Sequence, residues 1–261
     1  MIGVGYRREL AGWIKSRPAD VECLEITAEH FFDDGEPQLR ELQNNFRLFV
    51  HGLSLSLGTP GALDEERLAK FARVVAAAQP DWISEHVAFT RTSEIDLGHL
   101  NPVPLTRESL GIMAEHTRAL AARCARPVLL ENITSHLRLP GELTEPEFLN
   151  ELCAQAHCGL LLDVTNLFIN SRNHGFDPLT WLAEIEPSRI RQLHIVGYSI
   201  ENGRFVDNHA QPIQPELLEL ARAVIERAPV EAIILERDAN FPEAGAMSDE
   251  VAKLRSLLER D

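Results

Sequence analysis

Short apolar runs alternate with longer stretches of helical period along almost the whole chain. The runs at 2–5, 21–26, 47–51, 82–86, 127–131, 160–163, 190–194 and 231–236 are predicted strands. Amphipathic stretches between them predict helices over 8–16, 37–45, 64–78, 106–125, 145–157, 178–185 and 215–227, with a last one over 248–259. Strands that are apolar at successive positions are covered on both faces, as in a parallel sheet. Strand and helix in strict alternation imply parallel strands joined by crossover helices. Eight such units predict an α/β fold, the (β/α)8 TIM barrel, as one domain over residues 1–261.

Local chemistry supports several boundaries. Asp64 is placed to cap a helix whose first turn carries Glu65 and Glu66, where the helix dipole favours negative charge. Leu68, Phe71, Val74 and Val75 then give that helix one apolar face. Asp177 precedes Pro178, which suits the first helical position because its missing N–H is not needed there. Ser248 is the expected cap of the last helix. The longer polar stretches at 52–63, 88–104, 132–143, 165–177 and 195–213 all follow strands and are predicted loops. Loop length gathered on that side is what a barrel with an active face requires.

Six of the eight predicted strands end on a group that can bind a cation: His51, His86, Glu131, Asp163, His194 and Glu236, with Glu25 just inside the end of the second strand. The chain has 40 Asp and Glu and 10 His among 261 residues, so about one position in five should carry such a group by chance. In a barrel these ends converge on one mouth. Carboxylates crowded there repel one another and lose solvation unless cations compensate. Imidazoles and carboxylates without thiolates suit divalent metals of intermediate hardness, and Glu131 is placed to bridge two ions. Asn166, three residues beyond Asp163, and the pair Asp207 and His209 form a second layer that could complete another site.

Each of these groups also has a structural reading. Glu236 could pair with its neighbour Arg237, and Asp207 and His209 could order a loop. His174 and Asp177 could orient ligands, or mark no more than a turn and a helix cap, and Glu25 and Glu29 fit the pocket rim or a supporting role. His30, His99, His116, His136 and His157 are expected on the surface.

The net charge of −15 argues against nucleic acid and anionic membranes as partners, since both require Lys and Arg patches. Four cysteines without a CxxC pair fit reduced thiols, and no stretch approaches the ~18 apolar residues of a membrane span. The start of the chain lacks a basic leader with an apolar core, so a cytoplasmic location is expected.

The segments HGLSLSLG (51–58), SEH (84–86), LLENIT (129–134), LLLDVTN and NHGFD (160–166 and 173–177), QLHIVG (192–197) and ILERD (234–238) resemble one motif series, in order along nearly the whole chain. It is that of the multinuclear non-heme iron-dependent oxidative enzymes, the DUF692 family, whose barrel is similar to that of xylose isomerase. The resemblance implies two or three irons per chain, with manganese or zinc as substitutes, and dioxygen-dependent modification of cysteine or nearby residues in a ribosomally made peptide. It implies one metal on His51, His86 and Glu131, another on Glu131, Asp163, His194 and Glu236, and a third on Asn166, Asp207 and His209. Glu131, Asp163 and His194 would be the catalytic members. A cysteine-containing peptide is the expected substrate, and a separate partner protein its expected means of delivery. The family pattern HxxGH after the seventh strand here ends on Tyr198 instead of a second histidine. Two other functions fit the same ring: a divalent-metal isomerase, epimerase or hydrolase, and a non-catalytic protein that binds a peptide or partner.

Overall fold

In the computed structural model, which describes residues 1–33, 35–92 and 94–259, eight parallel strands close into a barrel. They are β1 (Ile2–Gly5), β2 (Cys23–Thr27), β3 (Arg47–His51), β4 (Ile83–His86), β5 (Val128–Glu131), β6 (Gly159–Asp163), β7 (Ile190–Ile195) and β8 (Ala232–Leu235). Each strand pairs in parallel with the next in sequence, and β8 closes onto β1. The helices are α1 (Ala11–Lys15), α2 (Glu36–Gln43), α3 (Glu65–Ala78), α4 (Arg107–Cys124), α5 (Glu145–Ala156), α6 (Val164–His174), α7 (Pro178–Glu184), α8 (Pro215–Arg227) and α9 (Ala244–Ser256).

Side chains inside the barrel are arranged in layers. Cys23, Phe49, Trp82, Leu129, Leu161, Ala232 and Ile234 form a buried cluster separate from the larger core between strands and helices. Successive strand residues face opposite sides, so two positions further along the chain also point inward. Those positions are Glu25, His51, Ser84, Glu131, Asp163 and Glu236. An apolar lower layer therefore carries a polar upper layer on the same strands. Leu161 is fully buried directly below Asp163. Leu161→Ala is expected to destabilise the protein by ~2–5 kcal/mol through lost burial and a cavity, which urea unfolding would measure.

Several expectations need correction. Residues 165–177 were predicted as loop, but most of the stretch is α6, which starts as β6 ends. Asp163 caps it by accepting from the Asn166 amide N–H at 2.7 Å. Asn disfavours helix interiors, yet here it bonds outward: Asn170 takes the Ser135 N–H and donates to the Ile133 carbonyl. Tertiary bonds and burial of Val164 through Ser171 override the local preference. The predicted loops 88–104 and 195–213 contain antiparallel hairpins, Ala88–Arg91 with Asp96–Pro102 and Gly197–Glu201 with Arg204–Gln211. The last helix begins at Ala244, and Ser248 lies inside it, its hydroxyl bonded to the Ala244 carbonyl instead of capping.

The caps at Asp64 and Asp177 are as expected: Asp64 accepts from the Arg67 N–H, and Asp177 from the N–H groups of Leu179 and Thr180. His116 is not a surface residue. It is buried on α4, with its two ring nitrogens 2.9 Å from the Leu57 carbonyl and 2.8 Å from that of Gly61, tying down the loop after β3.

Candidate metal centre

The barrel brings His51, His86, Glu131, Asp163, His194 and Glu236 into one buried cluster at the C-terminal mouth, each at most 7% exposed. Glu131 is its hub. Its Oε2 lies 3.4 Å from His51 Nε2 and 3.3 Å from His86 Nε2, and its Oε1 lies 3.1 Å from His194 Nδ1. His194 Nδ1 is also 3.0 Å from Glu236 Oε2. Among the described residues, donor atoms within 4.8 Å of one another fall into three sets: His51, His86 and Glu131; Glu131, Asp163, His194 and Glu236; and His209, Glu236 and Asp238.

Residues around the cluster aim these donors. His51 Nδ1 is 2.8 Å from Ser84 Oγ, and His86 Nδ1 is 3.1 Å from the Gly52 carbonyl. Gly52 has no room for a larger residue, since a Cβ would lie 2.9 Å from Phe71 and 3.0 Å from Glu85. Glu85 accepts from the backbone N–H groups of Leu55 and His86, pinning the loop after β3 to the end of β4.

The second layer is arranged differently from expectation. His209 reaches the cluster, with Nδ1 3.6 Å from Glu236 Oε2 and Nε2 2.8 Å from Asp207 Oδ1. Its backbone is left-handed, at φ 49°, and its carbonyl accepts from the Asp238 N–H. A non-glycine residue held there costs on the order of 1 kcal/mol, offset by the contacts that aim its ring. Asn166 has both ends of its amide engaged, the oxygen by the Thr134 hydroxyl and the nitrogen by the Asn132 carbonyl. Tyr198 points elsewhere: its ring stacks on Phe168 and its hydroxyl donates to Glu216 at 2.5 Å. His174 bonds the Ser135 carbonyl, and Arg237 pairs with Glu250 instead of Glu236.

Two participants went unrecognised as cluster members in the sequence. Asp238 follows Glu236 by two residues, a spacing that returns a side chain to the same face. Arg7, just past β1, donates to Asp238 at 2.5 Å and approaches Glu236 at 3.5 Å, and no sequence motif marks it.

The buried side-chain atoms without a hydrogen-bond partner among the described residues include His51 Nε2, Glu131 Oε2 and Asp163 Oδ2. Buried polar atoms are normally paired, and these belong to the residues that converge at the mouth. The donor set is nitrogen and oxygen without sulfur, which fits a divalent metal of intermediate hardness. Without a metal, protons take up part of the compensation. Burial, then the charges of Glu131 and Asp207, push the Asp163 carboxyl well above its usual range. Burial opposes charge on His194, yet Glu25, Glu131 and Glu236 outweigh it and hold the imidazole well above its ordinary value. Burial likewise opposes charge on His86, but Glu131 and Glu85 raise it to about 9. His51 is driven well below normal by burial and by repulsion from His86 and His194. Glu236 ends well below its usual range because His194 and His209 outweigh burial.

Raised values on Asp163, His86 and His194 mean that a metal must displace protons. Metal binding is therefore expected to release protons and to tighten as pH rises through neutrality towards about 9, the region in which His86 deprotonates. Calorimetric titration in buffers of different ionisation enthalpy would show this, and binding independent of pH would contradict it.

The fold and this cluster define a class, a (β/α)8 barrel with a ring of side chains at its C-terminal mouth that could hold metal ions. Residues 1–259 match the family of the RiPP precursor modification enzymes MbnB, TglH and ChrH, and the chain belongs to it. A UPF0276 protein of Chromobacterium violaceum is 35% identical over 248 residues, covering 94% of this chain and 90% of that one. D-psicose 3-epimerase from Clostridium cellulolyticum superposes with a TM-score of 0.63 at 14% identity, over 99% of both chains. A xylose isomerase domain protein from Planctomyces limnophilus gives a TM-score of 0.61 at 13% identity, covering 98% of this chain and 95% of that one. At such identities these two structures establish the shared barrel alone. No helix among the described residues is long and apolar enough to cross a membrane.

Proposed function

We propose that this protein is a multinuclear non-heme iron enzyme that oxidatively modifies cysteine or an adjacent residue in a ribosomally made peptide. The observation that carries this reading is the convergence of three unpartnered buried donor atoms on the mouth of a barrel whose family modifies precursor peptides. In it, His51, His86 and Glu131 hold one metal, and Glu131, Asp163, His194 and Glu236 another. Asp207 and His209 contribute to a third position, which Asp238 joins beside His209, while the Asn166 amide is engaged by Asn132 and Thr134.

Bound iron would supply a Lewis acid that acidifies a substrate thiol and a redox centre for dioxygen. The chain's own residues supply geometry and exclusion of water. Ser84 and the Gly52 carbonyl orient two imidazoles, and Asp163 presents one oxygen to the centre while the other caps α6. Glu131 keeps two donor sets in register through one carboxylate. Held side by side, a thiolate and an oxidant react without the entropy loss of an encounter in solution.

The test is anaerobic reconstitution with ferrous iron, followed by elemental analysis and exposure to a cysteine-containing precursor peptide with and without dioxygen. Retention of about two irons per chain and a dioxygen-dependent mass change on the peptide are expected. Full activity without dioxygen on zinc or manganese would favour an isomerase, epimerase or hydrolase instead.

A further inference from the structure

The three buried imidazoles differ in what stands behind them. His51 is backed by a hydroxyl, and the outer nitrogen of His86 by a peptide carbonyl at 3.1 Å, with a carboxylate oxygen of Glu85 farther off at 3.5 Å. His194 alone has a carboxylate behind it as the closest partner of its outer nitrogen: its Nε2 lies 2.6 Å from Oε1 of Glu25, a residue 3% exposed in the barrel interior. The opposite ring nitrogen, Nδ1, faces Glu131 and Glu236.

Glu25 is itself held. Its second oxygen, Oε2, accepts from the side-chain amide of Gln192, which is fully buried. The Gln192 amide cannot turn round, because its oxygen accepts from Trp82 Nε1 at 2.6 Å. Trp82 is fixed in turn by stacking on Phe49, with ring centroids 4.4 Å apart and planes within 14°. The chain Trp82–Gln192–Glu25–His194 thus has a defined direction. An indole N–H orients an amide, the amide N–H orients a carboxylate, and the carboxylate takes its second hydrogen bond from the imidazole. With Oε2 taken by the Gln192 amide, Glu25 presents Oε1 to Nε2, so in the metal-bound state the His194 proton sits on Nε2 and the lone pair on Nδ1.

We infer that Glu25 is a positioning residue that fixes the tautomer of His194 and increases its donor strength. It makes the position formed by Glu131, Asp163, His194 and Glu236 the tighter of the two main metal positions. A carboxylate behind a ligating imidazole raises its basicity, whereas a hydroxyl or carbonyl does so far less. The inference rests on the metal centre proposed above.

The test compares wild type with Glu25→Gln, which is nearly the same shape but has one acceptor atom for two donors. Trp82→Phe is the second variant: it leaves every acidic and imidazole group in place and releases only the Gln192 amide. Each protein is loaded anaerobically with ferrous iron enriched in the Mössbauer isotope, and separately with zinc. Metal loss to a chelator is followed by elemental analysis. Wild type is expected to lose the metal held by His51 and His86 first. In Glu25→Gln the other metal should leave about 10–100-fold faster, with a change confined to one iron subsite in the Mössbauer spectrum. Trp82→Phe should shift the same subsite by less, and Ser84→Ala should affect only the His51 subsite. An equal acceleration of both metals, or release unchanged from wild type, in Glu25→Gln overturns the assignment while leaving the metal centre standing. A wild type that retains no metal overturns both.

Discussion

Replacing Glu131 with alanine is expected to empty both main metal positions at once and to lower activity by more than about 10²-fold, the largest effect of any single substitution at the mouth. Glu131 alone joins the two main donor sets: its two oxygens face His51 and His86 on one side and His194 on the other. Its loss also removes the anion that compensates His86 and His194. The readouts are metal content after gel filtration and the thermal shift on adding metal. A ligand present at a thousand times its dissociation constant stabilises a folded protein by ~4 kcal/mol, and the variant should lose that increment. Glu131→Gln should behave similarly, because an amide oxygen cannot supply the charge. A variant that still holds two ions would mean that Glu131 is no bridge.

The second large effect lies behind the ring. Arg237 adjoins Glu236 but faces the other way, out of the barrel, where it meets Glu250 of α9 at 2.5 Å. Both residues are at most 4% exposed. The other oxygen of Glu250 accepts from the Ile213 N–H at 3.1 Å, so the pair joins the end of β8, the last helix and the segment before α8. Arg237→Ala leaves a buried carboxylate without its cation and is expected to cost ~3–5 kcal/mol. Replacing both partners with methionine should recover most of that loss, because a buried ion pair gains little over apolar packing. Recovery should stop short of wild type by ~1–3 kcal/mol, since the Ile213 N–H then lacks its acceptor. Urea unfolding of the three proteins measures both quantities. Equal stability of the single and double variants would refute the account.

The strands were legible because burial on both faces makes them continuous apolar runs, and six of the eight runs stop on a charged or imidazole group. Glu25 was also visible, just inside the end of the second predicted strand, though not what it touches. Other features depend on partners remote in sequence. α6 is rich in residues that usually avoid helix interiors, and the loop that carries Ile133 and Ser135, together with the hairpin residue Phe205, makes them suitable. His116 resembled a surface residue because the carbonyls that hold it lie 59 and 55 residues away. The hairpin strand Asp96–Pro102 is half to fully exposed, so no alternation of apolar positions marks it. Tyr198 drew notice as a departure from a motif, and its surroundings place it in an aromatic cluster with Phe168 and Phe205.

The division of labour within Asp163 has a wider consequence. One oxygen caps α6 and the other is unpartnered at the mouth, while the far end of that helix is tied to the outer hairpin through Asn173 and the backbone of Phe205. Occupancy of the mouth and order in the rim are therefore linked equilibria, and linkage is reciprocal. A cation that draws on Asp163 slows the fraying of α6. By the same free energy, a molecule that steadies the hairpin slows the escape of the cation, so the rim can register what the interior holds.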